Sequence, residues 1–327
     1  MNTHVQNVMH GLLACGALIG FGCDLSGGTS NTASQESPPQ VFAVNFPLQS
    51  FAQTVGGNEV VVESPALEGV SALSFDPTPE QIIKIQDARL ILLNGADFAS
   101  WTANASLPSS RTVITAKEFR DQWLECTHHH HHHHDHDHQH GPDGEGVHHH
   151  HSHWASYTWL DPNHARAQAT AVIAAMQSAL SAQGTMKMRP RAEALISELG
   201  VLADQAAEIR AAELPPIIAS EAYYPYFAAA CGLDMHEADW HWNEPEPHDG
   251  MDSLRNLIKA TGARHLLVPE KPTEQRMKVL RELGLEPVLI LPLADPPSSD
   301  PKASFSTLMK GNLDRIQALG RTGQSAD

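Results

Sequence analysis

The chain has 327 residues, 41% of them hydrophobic, and a formal charge of −17 from 21 Lys+Arg against 38 Asp+Glu. That length has room for two domains of about 100–200 residues each, and the acid excess argues against a nucleic-acid partner, which requires a basic surface. Charged residues at 18% and aromatics at 6% exclude a coiled coil and an aromatic-rich binding face; the outlier is histidine, with 22 residues, 15 of them between His128 and His153.

Residues 11–22 (GLLACGALIGFG) form an apolar run. It is too short to span a bilayer, which takes about 20 residues, and suits the hydrophobic region of a secretory signal. Small residues precede Cys23, and a stretch rich in Ser, Thr, Gly and Pro follows to Gln40. We therefore expect residues 1–23 to be a lipoprotein-type signal with Cys23 lipidated, Cys15 being the alternative, and 24–40 to be a flexible tether. Export to the periplasm or cell envelope follows, with a lipid anchor to a membrane. Cys126 and Cys231 remain, and a single pair is no disulfide framework.

From Gln40 strands and helices alternate. Val41–Asn45 reads as a strand, Pro47–Val55 as a helix closed by Gly56-Gly57, and Val60–Glu63 as a second strand. Thr78-Pro79-Glu80-Gln81 is a helix start with a capping box. Arg89–Asn94 (RLILLN) is a continuous apolar run, as in a strand buried on both faces of a parallel sheet, and Val113–Thr115 reads as the fourth strand.

The histidine segment follows. His128, His129, His130, His131, His132, His133 and His134 are consecutive; His136, His138 and His140 alternate with Asp135, Asp137 and Gln139; His148, His149, His150, His151 and His153 complete it. Neutral imidazole is a good ligand for zinc and similar cations, and most such rings are free to ligate at neutral pH. With so few apolar residues the stretch 127–153 cannot bury a core, and a disordered metal-capture loop with several weak sites is expected.

Two helical segments come next, Pro162–Ala182 and Arg189–Glu213, the second stopped by Pro215-Pro216. Ile217–Ser220, Asp239–Trp242, His265–Pro269 and Pro287–Leu291 read as strands. Helices lie near Tyr224–Ala230, Met251–Thr261, Thr273–Leu283 and Ser304–Leu319. The fold class is thus α/β, with two lobes, each a mainly parallel sheet flanked by helices. The expected division is a first lobe over 41–188, a linking helix over 189–213 and a second lobe over 214–323.

Several blocks, Asp76-Pro77-Thr78-Pro79-Glu80, Ala88–Ala96, Trp159-Leu160-Asp161-Pro162 and Tyr226–Leu233, resemble the zinc/manganese-type (cluster A-I) substrate-binding lipoproteins of ABC importers, from Val41 to Leu319. The histidine segment stands where zinc-specific members carry theirs. The resemblance implies two α/β lobes joined by a long rigid helix, with a metal ion in the cleft between them. Three positions where the family usually places histidine hold Leu73, Tyr157 and Glu221 instead, of which only Glu221 is a good ligand. By resemblance to a branch with a His-x-His ahead of the Trp-Leu-Asp block and a His-Trp pair in the second lobe, the cleft set is His151, His153, Glu221 and His241. Glu270, at the end of a second-lobe strand, is an outside candidate.

The function this implies is capture of zinc outside the cytoplasmic membrane and delivery to an ABC-type metal permease, by a monomer with no catalytic role. Mn2+, Ni2+ and Cu2+ stay open as cargo, although imidazole leans away from manganese. The alternative is a metal buffer or chaperone that binds only through the histidine segment. No Gly-x-Ser-x-Gly, His-Glu-x-x-His or phosphate-loop motif is present, which argues against an enzyme.

Overall fold

The computed structural model describes residues 37–126, 154–238, 250–298, 300 and 302–323. The expected signal with Cys23, the tether up to residue 36, the histidine segment and the stretch around His241 lie outside the described residues.

The first sheet contains β1 (Gln40–Ala43), β2 (Val61–Glu63), β3 (Leu90–Leu93) and β4 (Thr112–Ile114), all parallel, in the order β2-β1-β3-β4. The second contains β5 (Ile217–Ala219), β6 (Met235–Glu237), β7 (His265–Val268) and β8 (Glu286–Leu289), again parallel, in the order β6-β5-β7-β8. The two lobes therefore share one winding although their sequences show no repeat. β3 is buried at all four positions, as its unbroken Leu-Ile-Leu-Leu run requires when helices cover both faces of a parallel sheet.

Local sequence sets the helix starts. In α1 (Phe46–Gly56) the Asn45 side chain accepts a hydrogen bond from the Leu48 amide. In α2 (Pro79–Asp87) Thr78 and Gln81 form the complete reciprocal capping box, with Pro79 in the first turn, where its missing N–H costs nothing. In α3 (Pro162–Ala179) Asp161 caps the amide of Asn163.

Two elements depart from expectation. The linking helix α4 runs from Ala182 to Ala211, seven residues earlier than Arg189, because Ser181 caps the Gly184 amide and the chain carries Pro190 inside the helix. A strand not expected from the sequence, β6 at Met235–Glu237, pairs with β5, while the strand expected at Asp239–Trp242 lies outside the described residues.

At about 1.5 Å per residue, the 30 residues of α4 span both lobes. It packs on α1 and α3 on one side, and on α5 (Pro225–Cys231) and α8 (Phe305–Gly323) on the other. Arg191 of α4 donates to the carbonyls of Val55 and Gly56, both 2.8 Å away, satisfying the open end of α1. Gly232 ends α5 in a left-handed conformation; a Cβ there would lie 2.6 Å from the Arg210 side chain. The remaining second-lobe helices are α6 (Gly250–Thr261) and α7 (Glu274–Glu282).

The main core runs through both lobes. It contains Phe51, Trp159, Tyr224, Tyr226, Phe227 and Phe305, and a smaller cluster around Ile218, Leu254, Leu266 and Leu280 lies under α6 and α7. α8 reaches back to the first lobe: Phe305 meets Phe51 edge-on with ring centroids 5.1 Å apart, and its amide donates to Ser50 Oγ at 3.0 Å. Among the described residues no helix is long and apolar enough to cross a membrane.

Candidate metal centre

Parallel α/β sheets bind at the carboxyl ends of their strands, where the following loops converge. Here those loops enclose a cleft of about 370 Å³ lined by Ser71, Leu73, Tyr157, Tyr223, Pro269, Glu270 and the stretch Leu291–Pro297. Pro269 and Glu270 directly follow β7, and Leu291–Pro297 follows β8. Ser71 and Leu73 follow β2 in the first lobe, and Tyr157 precedes the Thr158-Trp159-Leu160 turn that leads into α3.

Tyr157 is the centre of this geometry. It is 7% exposed, and its ring packs against Phe98, Trp159 and Tyr223 at centroid distances of 6.2, 5.1 and 4.9 Å. Burial pushes its phenol well above the ordinary value, and the nearby Tyr223, Asp295 and Glu221 push it further in the same direction. Tyr223 rises to about 12, first through burial and then through Glu221. Both carboxylates, Glu221 from the loop after β5 and Asp295 from the loop after β8, therefore project their charge onto one phenol.

Asp295 joins the lobes. Its two oxygens accept from Ser71 Oγ at 2.6 Å and from the Ala72 amide at 2.8 Å. Two further bonds cross beside it: Trp159 Nε1 donates to the Pro292 carbonyl at 2.8 Å, and the Phe46 amide donates to the Ala294 carbonyl at 2.9 Å. Loop 291–297 is thus pinned to the first lobe at three successive places, which suits a fixed cleft better than a wide hinge.

Of the expected ligands, Glu270 lines the cleft and is exposed, while Glu221 is half-buried beside the tyrosines. Glu221 does not cap α5; the residue at that position is Tyr224, without a side-chain capping bond. His151, His153 and His241, with the thirteen histidines of the capture loop, lie outside the described residues. Leu73 stands 53% exposed in the cleft wall and has no donor atom.

Asp295 was not picked out from the sequence. The signal was available, since it is the one acidic residue in the proline-rich run after the last strand, Leu291–Pro297. Among the described residues no three His, Cys, Asp or Glu side chains gather as a metal group. The described donors in and beside the cleft are oxygens: the carboxylates of Glu221, Glu270 and Asp295, the phenols of Tyr157 and Tyr223, and the Ser71 hydroxyl.

The other described histidines stand elsewhere. His164 is buried and stacked on Phe119 at 4.2 Å, His236 lies 3.2 Å from Asp234, and His265 lies 3.9 Å from Glu286. Cys231 is buried and its thiol is pushed up to about 12 by desolvation, so no thiolate is available from it. Glu125 and Trp154 form an antiparallel bridge, which brings together the two ends of the chain flanking 127–153.

Comparison with known proteins agrees with this architecture. The curated zinc-binding protein AdcA of Streptococcus pyogenes is 24% identical over 292 residues, 86% of this chain and 56% of AdcA. The iron-binding protein YfeA of Yersinia pestis is 32% identical over 90 residues, 28% of each chain. The chain thus spans about half the length of AdcA, and its match to YfeA is shorter still. The crystal structure of the metal-dependent lipoprotein YcdH from Bacillus subtilis superposes with a TM-score of 0.70 at 17% identity, covering 86% of this chain and 98% of that one. The model of the family described as the periplasmic component A of the zinc-uptake complex, ZnuA, matches residues 41–319. The chain belongs to this ZnuA family, whose members are solute-binding proteins and not enzymes.

Proposed function

We propose that the protein captures zinc outside the cytoplasmic membrane and delivers it to an ABC-type permease. The observation that carries this reading is the cleft at the carboxyl ends of two identically wound sheets, lined by Tyr157, Tyr223, Glu270 and Asp295. Carboxylates supply charge and oxygen to the cargo, and His151, His153 and His241, with Glu270 at the mouth, complete the proposed ligand set. Imidazole from these positions gives the nitrogen that zinc prefers.

The histidine segment collects ions and the cleft receives them; Cys23 carries a lipid that keeps the protein at the membrane, and the protein acts as a monomer. The family serves permeases of this type and works outside the cytoplasm. The names of the relatives, one zinc-binding and one iron-binding, support a transition metal as cargo.

A specific observation favours a second reading. Leu73 cannot ligate, and the phenol of Tyr157 is held protonated. A cleft so altered suits a metal buffer that binds only through its histidine segment.

Zinc calorimetry separates the two. The comparison is between the chain lacking its signal and a variant that also lacks residues 128–150, a cut the Glu125–Trp154 bridge makes compatible with the fold. A tight site that survives the deletion and weakens in Glu221→Ala supports delivery. Loss of all binding with the segment would make the protein a buffer.

A further inference from the structure

The loop Leu291–Pro297 walls the cleft and carries Asp295, yet it follows β8, an edge strand that only β7 pairs with. It also contains a costly residue: Leu293 is buried and has a φ of 59°. A leucine in the left-handed region persists only where its surroundings over-determine the backbone. Here side chains and one amide from other elements do so. The Ile290 carbonyl accepts from Tyr224 Oη at 2.9 Å, the Pro292 carbonyl from Trp159 Nε1 at 2.8 Å, and the Ala294 carbonyl from the Phe46 amide at 2.9 Å. Leu291 stands among them, and both its backbone groups go to one side chain. Asn312 of α8, itself fully buried, accepts the Leu291 amide on Oδ1 at 3.0 Å and donates from Nδ2 to the Leu291 carbonyl at 2.9 Å. A side-chain amide offers an acceptor and a donor side by side, as a peptide group does, so Asn312 takes the place of the strand that β8 lacks.

We propose that Asn312 is a positioning residue for the cargo site: through Leu291 it holds the Leu293 turn in its left-handed form and so sets Asp295 in the cleft wall. Asn312 does not line the cleft, and it acts only through the backbone of the loop. α8, which packs along α4 and gives the cleft lining no residue, thereby belongs to the framework that preorganises the site. A loop held this way presents its wall to a cation without first being ordered by it, and that ordering is a cost that binding otherwise bears. The inference rests on the cleft being the cargo site, and it adds a residue that the ligand set does not contain.

The test compares Asn312→Leu, which removes both bonds, with Leu313→Ala, which opens a cavity at the next, equally buried residue of α8. Zinc calorimetry on the chain without residues 128–150 reads the cleft. Hydrogen exchange of the Ala72 amide in the full chain, measured against the amides of β3, reads the seating of Asp295. Zinc binding about tenfold weaker is expected in Asn312→Leu, with exchange at Ala72 faster than global unfolding explains. Leu313→Ala should lower the unfolding midpoint and leave both readings as in the parent. Asn312→Asp keeps the acceptor for the Leu291 amide and has Arg315 Nη1 beside it, 3.4 Å from Oδ1, so it carries the test if Asn312→Leu does not fold; intermediate values are expected from it. Parent-like zinc affinity in the Asn312 variants, or equal weakening in Leu313→Ala, makes Asn312 a structural residue and overturns the proposal. A parent without a tight zinc site overturns the delivery reading and this inference together, whereas a tight site indifferent to Asn312 overturns the inference alone.

Discussion

The Asp295 carboxylate of the second lobe accepts the Ser71 hydroxyl of the first at 2.6 Å, and its other oxygen takes the Ala72 amide at 2.8 Å. One side chain thereby spends both oxygens on the opposite lobe. Any cation that uses Asp295 as a ligand competes with this latch, so cargo binding and the position of the 71–73 turn are linked. Ser71→Ala removes one of the two bonds and should cost about 1 kcal/mol, while Asp295→Ala strands the half-buried Ala72 amide and should cost about 1–3 kcal/mol. Urea unfolding midpoints check the size, and faster amide exchange at Ala72 in Asp295→Ala checks the cause.

Trp159 is fully buried, and its indole N–H is bonded to the Pro292 carbonyl. Trp159→Phe keeps an aromatic ring but leaves that carbonyl without a partner and opens space beside Phe98. A loss of about 2–4 kcal/mol is expected from the unmade bond and the cavity together. Chemical denaturation measures it, and a loss below the cost of the bond alone would mean that water replaces the indole.

His164 makes stability depend on acidity. Desolvation, the largest influence, lowers its pKa below the ordinary value, against the opposing charge of Asp161. The unfolded chain therefore takes up a proton at about pH 6.5 while the folded chain resists. Its contribution is fully present above the unfolded pKa and is lost as pH falls through the depressed folded value. His265 is shifted in the same direction by the same cause. His164→Phe keeps the stack on Phe119, frees the exposed Gln122 to bond water, and should flatten part of the fall in unfolding midpoint on acidification. An unchanged slope in metal-free protein would show that other groups carry it.

Pro190 lies inside α4 on an exposed face and has no N–H to give the Met186 carbonyl one turn earlier. Interior proline costs a helix about 3 kcal/mol. Pro190→Ala should therefore stabilise the protein, by about 1–3 kcal/mol given partial accommodation already present. Thermal unfolding reports it as a higher Tm.

Much of the fold was legible along the chain because its signals are local. The capping box at Thr78-Pro79-Glu80-Gln81 and the apolar run of β3 each act within a few residues, and each appears as read. The start of the linking helix was misplaced, and β6 was missed, for the opposite reason. Pro190 looks like a helix start but sits in the interior once α1, α3, α5 and α8 pack along α4, and tertiary contact outweighs propensity. The ladder partner of β5 cannot be identified from residues 235–242 alone, because pairing is a non-local choice.

The sequence by itself determined the class of the protein: two α/β lobes, a chain without catalytic motifs, and an exceptional density of imidazole between His128 and His153. It also marked Glu221, by resemblance, and Glu270, as a strand-end acid. Only the tertiary structure decided that Asp295 belongs with them, that it is tied to Ser71, and that Tyr157 and Tyr223 stand ring to ring in the same cleft. Ser71, Tyr157, Tyr223 and Asp295 lie in four separate stretches of the chain, and no local pattern relates them. Their meeting is fixed by the burial that folds both sheets onto α4, and that burial also gives the phenols their altered chemistry.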